Sequence, residues 1–392
     1  MTDDVARLDS VWRYPTEIRF GVGRIAELAK ACRTLGMTRP LLVTDPGLAV
    51  LPAVADAVAA NRDAGVPTAV FSGIKGNPTG GNVEAGVRAF RDGGHDGIVA
   101  LGGGSSLDAG KTIAFMAGQT RRWEDYALDG PAWRQADPTG VPPIVAVPTT
   151  AGTGSEVGRA AVIVDEATET KKILLHPKML PGIVIADPAL TVGLPPHLTA
   201  ATGMDALAHC LEAYSTTEFH PMSTGIALEG MRLIKAWLPE AYRDGRNLTA
   251  RAHMMAAASM GATAFQKGLG AIHALSHPVG AVYDTHHGLT NAVFMPYVLA
   301  FNRPAVEARM GRLAAYLDLP AASFDAVMDW VLTLRRQLDV PHTLAELGVP
   351  DNRAAEIARM AAADPCAAEN PVELDVMSLR RIFDAAMAGR LD

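Results

Sequence analysis

An α/β domain followed by an all-α domain is the fold class this 392-residue chain predicts, and three observations carry it. Short apolar runs rich in β-branched residues recur through the first half, separated by helix-forming sequence: RPLLVTD at 39–45, PTAVFSG at 67–73, DGIVALGGG at 96–104 and PPIVAVPTT at 142–150. Continuously apolar runs of this kind read as a parallel sheet with both faces covered by helices. After about Asp187 strand-like runs almost vanish, and Ala-, Leu- and Met-rich helical sequence continues to the end. A cluster of prolines and glycines, DPALTVGLPP at 187–196, marks the hinge. The expected domains are therefore 1–190 and 191–392.

Composition narrows the function classes. With 49% apolar and 20% charged residues the chain is globular, not disordered or fibrous. A net charge of -7 with scattered Lys and Arg offers no basic stripe to a nucleic-acid backbone. Cys32, Cys210 and Cys366 are odd in number and lack CxxC spacing, so neither a disulfide framework nor a cysteine-ligated zinc site is implied, and a reducing cytoplasm is favoured. The N-terminus, MTDDVARLDSVWRYP, is acidic and polar where a signal peptide is basic then apolar, and no apolar run reaches the ~18 residues of a membrane span. Neither secretion by that route nor a membrane partner is expected.

Two loops in the first half suit phosphate. Gly102, Gly103, Gly104 and Ser105 follow the strand GIVAL directly and open the helix SSLDAGKTIAF, so backbone N–H groups can approach an anion at the positive helix end. A glycine triplet also serves a tight strand-to-helix turn on steric grounds alone. The second loop, PTTAGTGSEV at 148–157, adds small hydroxyl residues after another strand, at the carboxyl edge where parallel sheets bind ligands. Together they point to a dinucleotide, with Gly102, Gly103, Gly104, Ser105 and Asp108 as candidate contacts from the first segment and Thr149, Thr150 and Thr153 from the second. Asp45, ending the first strand in LLVTDPG, stands where an acid accepts from an adenosine ribose and repels a 2′-phosphate, which favours NAD while leaving NADP possible; it reads equally as a turn residue before Pro46.

The helical half carries a metal pattern. Asp205 and His209 in TGMDALAHCLEAY are four apart, so on a helix both side chains reach one ion. His273 and His277 repeat that spacing in AIHALSHPVGAVYDTHHG, where His286 and His287 precede a Gly288 turn. One histidine on an apolar helix face is ordinarily a hydrogen-bonded core residue, but seven of the eleven histidines lie between 209 and 287. Carboxylate and imidazole donors suit a divalent transition metal with an open coordination position. Six residues compete for four positions, and spacing alone leaves the choice open.

From about Tyr14 to about Ala385 the chain resembles the iron-containing (group III) alcohol dehydrogenase family, on GGGSSLDAGK, PTTAGTGSEV, LPPHLTAATGMDALAHCLEAY and GLGAIHALSHPVGAVYDTHHGLTNAVFMPYV. The resemblance implies a dinucleotide-binding α/β domain followed by an all-α metal domain, a dehydroquinate synthase-like architecture with the reaction in the cleft between them. Carried over by position, the metal ligands are Asp205, His209, His273 and His287, while His277 falls beside nicotinamide and substrate. His286 stands where many members have proline, and its role is open. The family's cofactor-contacting lysine corresponds to Lys171 or Lys172, of which Lys172 is the candidate adopted. The segments AFQKGLG at 264–270 and KKILLHP at 171–177 look shortened against propanediol-type members, so substrate-pocket residues there do not transfer. The runs VPTTAGTGSEV, TAATGMDALAHCLE and MGATAFQKGLGAIHALSHP look most like 4-hydroxybutyrate dehydrogenases. A homodimer or larger homo-oligomer is implied as well.

The expected chemistry follows from charge. A divalent cation, Fe2+ with Zn2+ as the alternative, lowers the proton affinity of an alcohol oxygen and polarises an aldehyde in reverse, while nicotinamide exchanges the hydride. His277 is expected to relay the proton, or else only to support the site by hydrogen bonding. Arg159 and Lys267 are cations able to anchor the carboxylate of a hydroxy acid such as 4-hydroxybutyrate, or are structural. A transhydrogenase passing hydride from a hydroxy acid to an oxo acid, and a carbon–oxygen lyase using NAD internally, fit the same motifs.

Overall fold

The computed structural model describes Tyr14 and residues 16–391; the N-terminal stretch read above as unlike a signal peptide lies, apart from Tyr14, outside them. The chain divides into two compact units, Pro15–Gly193 and a second that holds the chain from Leu194 on.

In the first unit a parallel sheet is built from β1 (Glu17–Phe20), β2 (Leu41–Val43), β3 (Ala69–Phe71), β4 (Ile98–Gly102), β5 (Ile144–Pro148) and β8 (Ile183–Ala186), in the order β1-β8-β5-β4-β2-β3. The remaining strands, β6 (Ala160–Asp165) and β7 (Thr170–Leu175), form an antiparallel ribbon. Helices α1 (Leu28–Thr34), α2 (Pro46–Ala49), α3 (Pro52–Asp63), α4 (Gly80–Asp92) and α5 (Gly104–Ala117) fill the connections. Every residue of β4, β5 and β8 is buried, which explains why these strands read as unbroken apolar runs instead of alternating ones. The core joins Leu28, Leu42, Val99, Val145 and Ile183. Gly110 lets α5 lie directly on β4, because a Cβ there would come within 2.6 Å of Ala100 Cβ.

The topology also selects a binding edge. From β2 the chain runs to β3 on one side, then returns to β4 on the other side of β2, with Val43 beside Ala100 in register. The carboxyl ends of β2 and β4 therefore flank a topological switch point, where open parallel sheets leave a crevice.

The second unit contains α6 (Pro196–Ser215), α7 (Pro221–Arg243), α8 (Leu248–Ala264), α9 (Ala271–Tyr283), α10 (His287–Tyr316), α11 (Phe324–Gln337), α12 (Ala354–Ala363) and α13 (Val376–Ala388). Among the described residues no strand follows β8, and no helix is long and apolar enough to cross a membrane. Helix α6 is buried on all sides from Thr199 through Ser215, packed against α7, α8 and α10. Two glycines permit this: a Cβ on Gly203 would meet Leu238 Cδ1 at 2.2 Å, and one on Gly288 would meet the Ala201 carbonyl oxygen at 2.2 Å.

A buried helix must still satisfy its terminal carbonyls. Arg309 donates to the carbonyls of Tyr214, Ser215 and Thr216 at 2.9, 2.6 and 2.7 Å, and Lys267 Nζ to those of Ala213 and Thr216 at 2.9 and 3.0 Å. Both cations sit at the negative end of the helix dipole. Lys267 is only 3% exposed, so of its two expected roles the structural one holds and the carboxylate anchor does not: the ammonium is consumed in capping α6. Burial, reinforced by the Arg309 charge, pushes its pKa down to about 8.

The unfolded chain, with a lysine pKa near 10.5, holds the proton more tightly than the folded one, so the Lys267 contribution to stability is present above 10.5 and is lost as pH falls towards 8. The difference in denaturant-unfolding free energy between wild type and Lys267→Met is expected to move in favour of wild type as pH rises through that window. A pH-independent difference would show that the ammonium is not desolvated.

Candidate functional site

Helix α6 carries Asp205, His209 and Glu212 along one stripe, α9 brings His273 and His277 one turn apart, and His287 opens α10. The candidate ligand atoms of Asp205, His273 and His287 lie within 4.8 Å of one another. His287 Nε2 is 3.6 Å and His209 Nε2 3.9 Å from Asp205 Oδ1, and the His209 ring stacks on His273 with centroids 4.8 Å apart. The tight group is thus three residues, with His209 against its rim. His286 is exposed and forms the N-cap of α10.

The donor chemistry suits a cation. Asn291 Nδ2 donates to Asp205 Oδ1 at 2.8 Å and lies 3.2 and 3.1 Å from Nε2 of His273 and His287. One amide offers two protons to these three acceptors, and its own Oδ1 is buried without a hydrogen-bond partner among the described residues. Convergent lone pairs on one carboxylate and two imidazoles, in surroundings this dry, call for more positive charge than one amide supplies.

Two carboxylates that the sequence reading passed over support this group. Glu212 Oε2 is 2.5 Å from His273 Nδ1, and its Oε1 accepts from the Ile272 N–H at 2.7 Å. Asp364 Oδ2 is 2.8 Å from His277 Nδ1, and its Oδ1 accepts from Cys366 N–H at 2.9 Å. Burial alone disfavours the His273 imidazolium, but the charge and hydrogen bond of Glu212, with Asp205 behind them, outweigh it and raise that ring's pKa. Burial likewise would raise the Asp364 carboxyl, yet His277 and Cys366 hold it below its usual range. His277 with Asp364 and Cys366 makes a second group of potential donors, and the His277 ring stacks on His287 with centroids 5.5 Å apart. The available signal was Glu212 three residues after His209 in an otherwise apolar helix, and the cap-like Asp364-Pro365 pair.

The first unit assembles the two glycine-rich loops side by side. Gly102 ends β4 at φ 148°, where a Cβ would strike Ser106, and Gly103 is the N-cap of α5, with no side-chain cap over the first-turn N–H groups. A Cβ on Gly103 would touch Thr150 at 3.2 Å and one on Gly104 would touch Thr153 at 2.5 Å, so the loops pack with no room for larger residues. Thr149 N–H donates to the Gly102 carbonyl at 2.9 Å. The backbone of these loops can take a phosphate at the α5 N-terminus.

The charged residues assigned to the same site are occupied internally. Asp108 Oδ1 accepts from Ser155 Oγ at 2.5 Å and Oδ2 from Val162 N–H at 2.8 Å, so this carboxylate ties α5 to the second loop and to β6. Buried Lys111 completes the tie, donating to the Ser155 carbonyl at 3.0 Å and pairing with Asp108 at 3.2 Å. Burial lowers its pKa despite that partner. Ser105 Oγ donates to the Gly76 carbonyl, and Lys172 pairs with Asp129 from β7. Asp45 caps α2, its Oδ1 accepting from Leu48 N–H at 3.0 Å.

Comparisons with known proteins agree with both units. Residues 15–188 match the family described as iron-containing alcohol dehydrogenase, and residues 199–387 match the Fe-containing alcohol dehydrogenase family, C-terminal. A 4-hydroxybutyrate dehydrogenase of Cupriavidus necator is 39% identical over 385 residues, covering 95% of this chain and 99% of that one. A 1,3-propanediol dehydrogenase of Citrobacter freundii is 36% identical over 376 residues, 94% and 96% of the two chains. Among solved structures, a 1,3-propanediol oxidoreductase superposes with a TM-score of 0.89 at 35% identity, over 96% of this chain and 99% of that one. A sulfoacetaldehyde reductase of Bifidobacterium kashiwanohense in complex with NAD+ gives 0.87 at 27% identity, over 96% and 99%.

Gly288 follows His287 at the closest approach of α10 to α6 and tests how tightly the metal group is spaced. Gly288→Ala places a methyl against the Ala201 carbonyl and 3.1 Å from Asp205 Cβ. Denaturant unfolding is expected to show a loss of roughly 1–3 kcal/mol; an unchanged midpoint would mean that the two helices are free to separate there.

Proposed function

The chain belongs to the iron-containing alcohol dehydrogenase family and is an alcohol oxidoreductase, and from that premise we propose that it transfers hydride between a small alcohol, foremost 4-hydroxybutyrate, and NAD, using Fe2+ held by Asp205, His209, His273 and His287. The observation that carries the reading is the convergence of Asp205 Oδ1, His273 Nε2 and His287 Nε2 on the Asn291 amide. A divalent ion in that donor set supplies Lewis acidity to an alcohol oxygen or aldehyde carbonyl, and NAD accepts or returns the hydride. Fe2+ is preferred on family grounds, and Zn2+ takes the same nitrogen and oxygen donors.

The chain's own residues would do the rest. His209, with its Nε2 3.9 Å from Asp205 Oδ1, would complete the ligand set. His277, its ring backed by Asp364, accepts and passes on the alcohol proton. In the first domain, 1–190, the backbone of Gly102, Gly103 and Gly104, with Ser105, Thr149, Thr150 and Thr153, receives the pyrophosphate, and Asp45 beside the switch point takes the ribose. Asp108 acts there by bracing the loops. Lys172 on β7 stays the candidate lysine for the cofactor. With Lys267 committed to α6, Arg159 is the remaining candidate anchor for a substrate carboxylate, and the likeness to the Cupriavidus necator enzyme supports a hydroxy acid. Three free buried cysteines fit a reducing cytoplasm, and a homodimer or larger assembly is the proposed form.

The test is NADH formation by the purified protein with Fe2+ or Zn2+ across 4-hydroxybutyrate, 1,2-propanediol, butanol and ethanol, repeated after chelation. Chelator-sensitive turnover strongest on 4-hydroxybutyrate is expected, with Asp205→Ala lowering kcat/KM by at least about 1000-fold. Turnover that survives chelation or this substitution would end the metal reading. Arg159→Ala is expected to raise KM for 4-hydroxybutyrate and leave butanol unaffected; equal effects on both would discard the anchor.

A further inference from the structure

We propose that Glu212 and Asp364 are positioning residues that fix the tautomer of two histidines one turn apart, holding His273 and His277 in the Nδ1–H form so that each presents a bare Nε2. Each carboxylate is pinned from behind by a backbone N–H. Ile272 N–H, in the first turn of α9, donates to Glu212 Oε1 at 2.7 Å, and Cys366 N–H, in the 3-10 turn Pro365–Glu369, donates to Asp364 Oδ1 at 2.9 Å. The second oxygen of each faces a ring nitrogen, Glu212 Oε2 at 2.5 Å from His273 Nδ1 and Asp364 Oδ2 at 2.8 Å from His277 Nδ1. A carboxylate oxygen only accepts, so each Nδ1 must carry the hydrogen and Nε2 keeps the lone pair.

The two clamps arise independently, from α6 and from the cap before the Pro365 turn, yet they impose the same state. For His273 the bare Nε2 is the atom that converges with Asp205 Oδ1 beside Asn291. For His277 it makes Nε2 a proton acceptor and denies it a donor role in the neutral ring. Because each carboxylate doubles as a helix or turn cap, its orientation does not depend on the histidine it serves. The consequence for metal affinity rests on the ligand assignment proposed above; the tautomers themselves do not.

An isosteric amide separates this role from mere packing. In Glu212→Gln the Ile272 N–H still requires an acceptor, so Oε1 stays there and the NH2 group is turned onto His273 Nδ1. The ring must then accept at Nδ1 and carry its hydrogen on Nε2, which blocks coordination. Asp364→Asn does the same to His277 through the Cys366 N–H.

The experiment is a long-range 15N–1H correlation on the metal-free protein with labelled histidine, under conditions where the rings are neutral, followed by Co2+ titration. Wild type is expected to show Nδ1–H at His273 and His277. Glu212→Gln is expected to move His273 to Nε2–H and weaken Co2+ binding by about 10- to 100-fold. Asp364→Asn is expected to move His277 alone, with Co2+ affinity held within about twofold. An Nε2–H ring at either position in wild type overturns the proposal without recourse to any variant. So does Glu212→Gln with an unmoved tautomer and wild-type Co2+ affinity. Wild-type protein that shows both Nδ1–H rings but takes no Co2+ would support the clamps while sinking the metal centre.

Discussion

Helix α6 buries negative charge in a place that gives it almost no water. Asp205 and Glu212 are embedded in a helix enclosed from Thr199 to Ser215, and an unpaired carboxylate in such surroundings costs a large part of a folded protein's net stability. Their survival depends on matched donors: the Asn291 amide for Asp205, and the His273 ring with the Ile272 N–H for Glu212. The far end of the helix is matched in the same way, with Arg309 and Lys267 set against its last carbonyls. A helix that only needed to pack would carry apolar residues at these positions, which is why paired buried charge here reads as function.

The same economy of donors organises the first unit. Lys111, buried beneath the second loop, holds the carbonyls around Ser155 while Asp108 holds Ser155 Oγ and the Val162 N–H. These two charged residues bind the loops to each other from inside, and glycines at 102, 103 and 104 let the loops pack closely against Ser106, Thr150 and Thr153. Rigid N–H groups around a helix N-terminus are the form of phosphate recognition that costs least reorganisation on binding. In both units, then, charged side chains spend their capacity on holding geometry, and the atoms left to meet a ligand are few and fixed.

Local pattern in the sequence carried the elements whose signal is local. The unbroken runs at β2, β4 and β5 were readable because full burial removes alternation, the exposed edge strand β3 because of its Val and Phe between turn residues, and the Asp205–His209 and His273–His277 pairs because helical spacing writes itself into sequence. The outer strand β1, with Glu17 and Arg19, and β7, with paired lysines, lack such runs and went unassigned, as did β6 in spite of its AAVIV run; β8 was hidden beside the proline-rich hinge. Glu212 and Asp364 escaped because their partners lie 61 and 87 residues away, so only the fold brings them together. Sequence left Lys267 open between anchor and structural cation for the same reason, since its sequence neighbours say nothing of the α6 terminus that surrounds it.

We propose that Asp205 and His209 on α6, with His273 and His287, bind one metal ion through nitrogen and oxygen alone. X-ray absorption on the iron-loaded protein tests it most directly, because the neighbouring His277–Asp364–Cys366 group would bring sulfur to the ion. A shell of N/O scatterers at about 2.0–2.2 Å with the outer-shell signature of several imidazoles is expected. A sulfur scatterer near 2.3 Å, or a shell without imidazole, would contradict it.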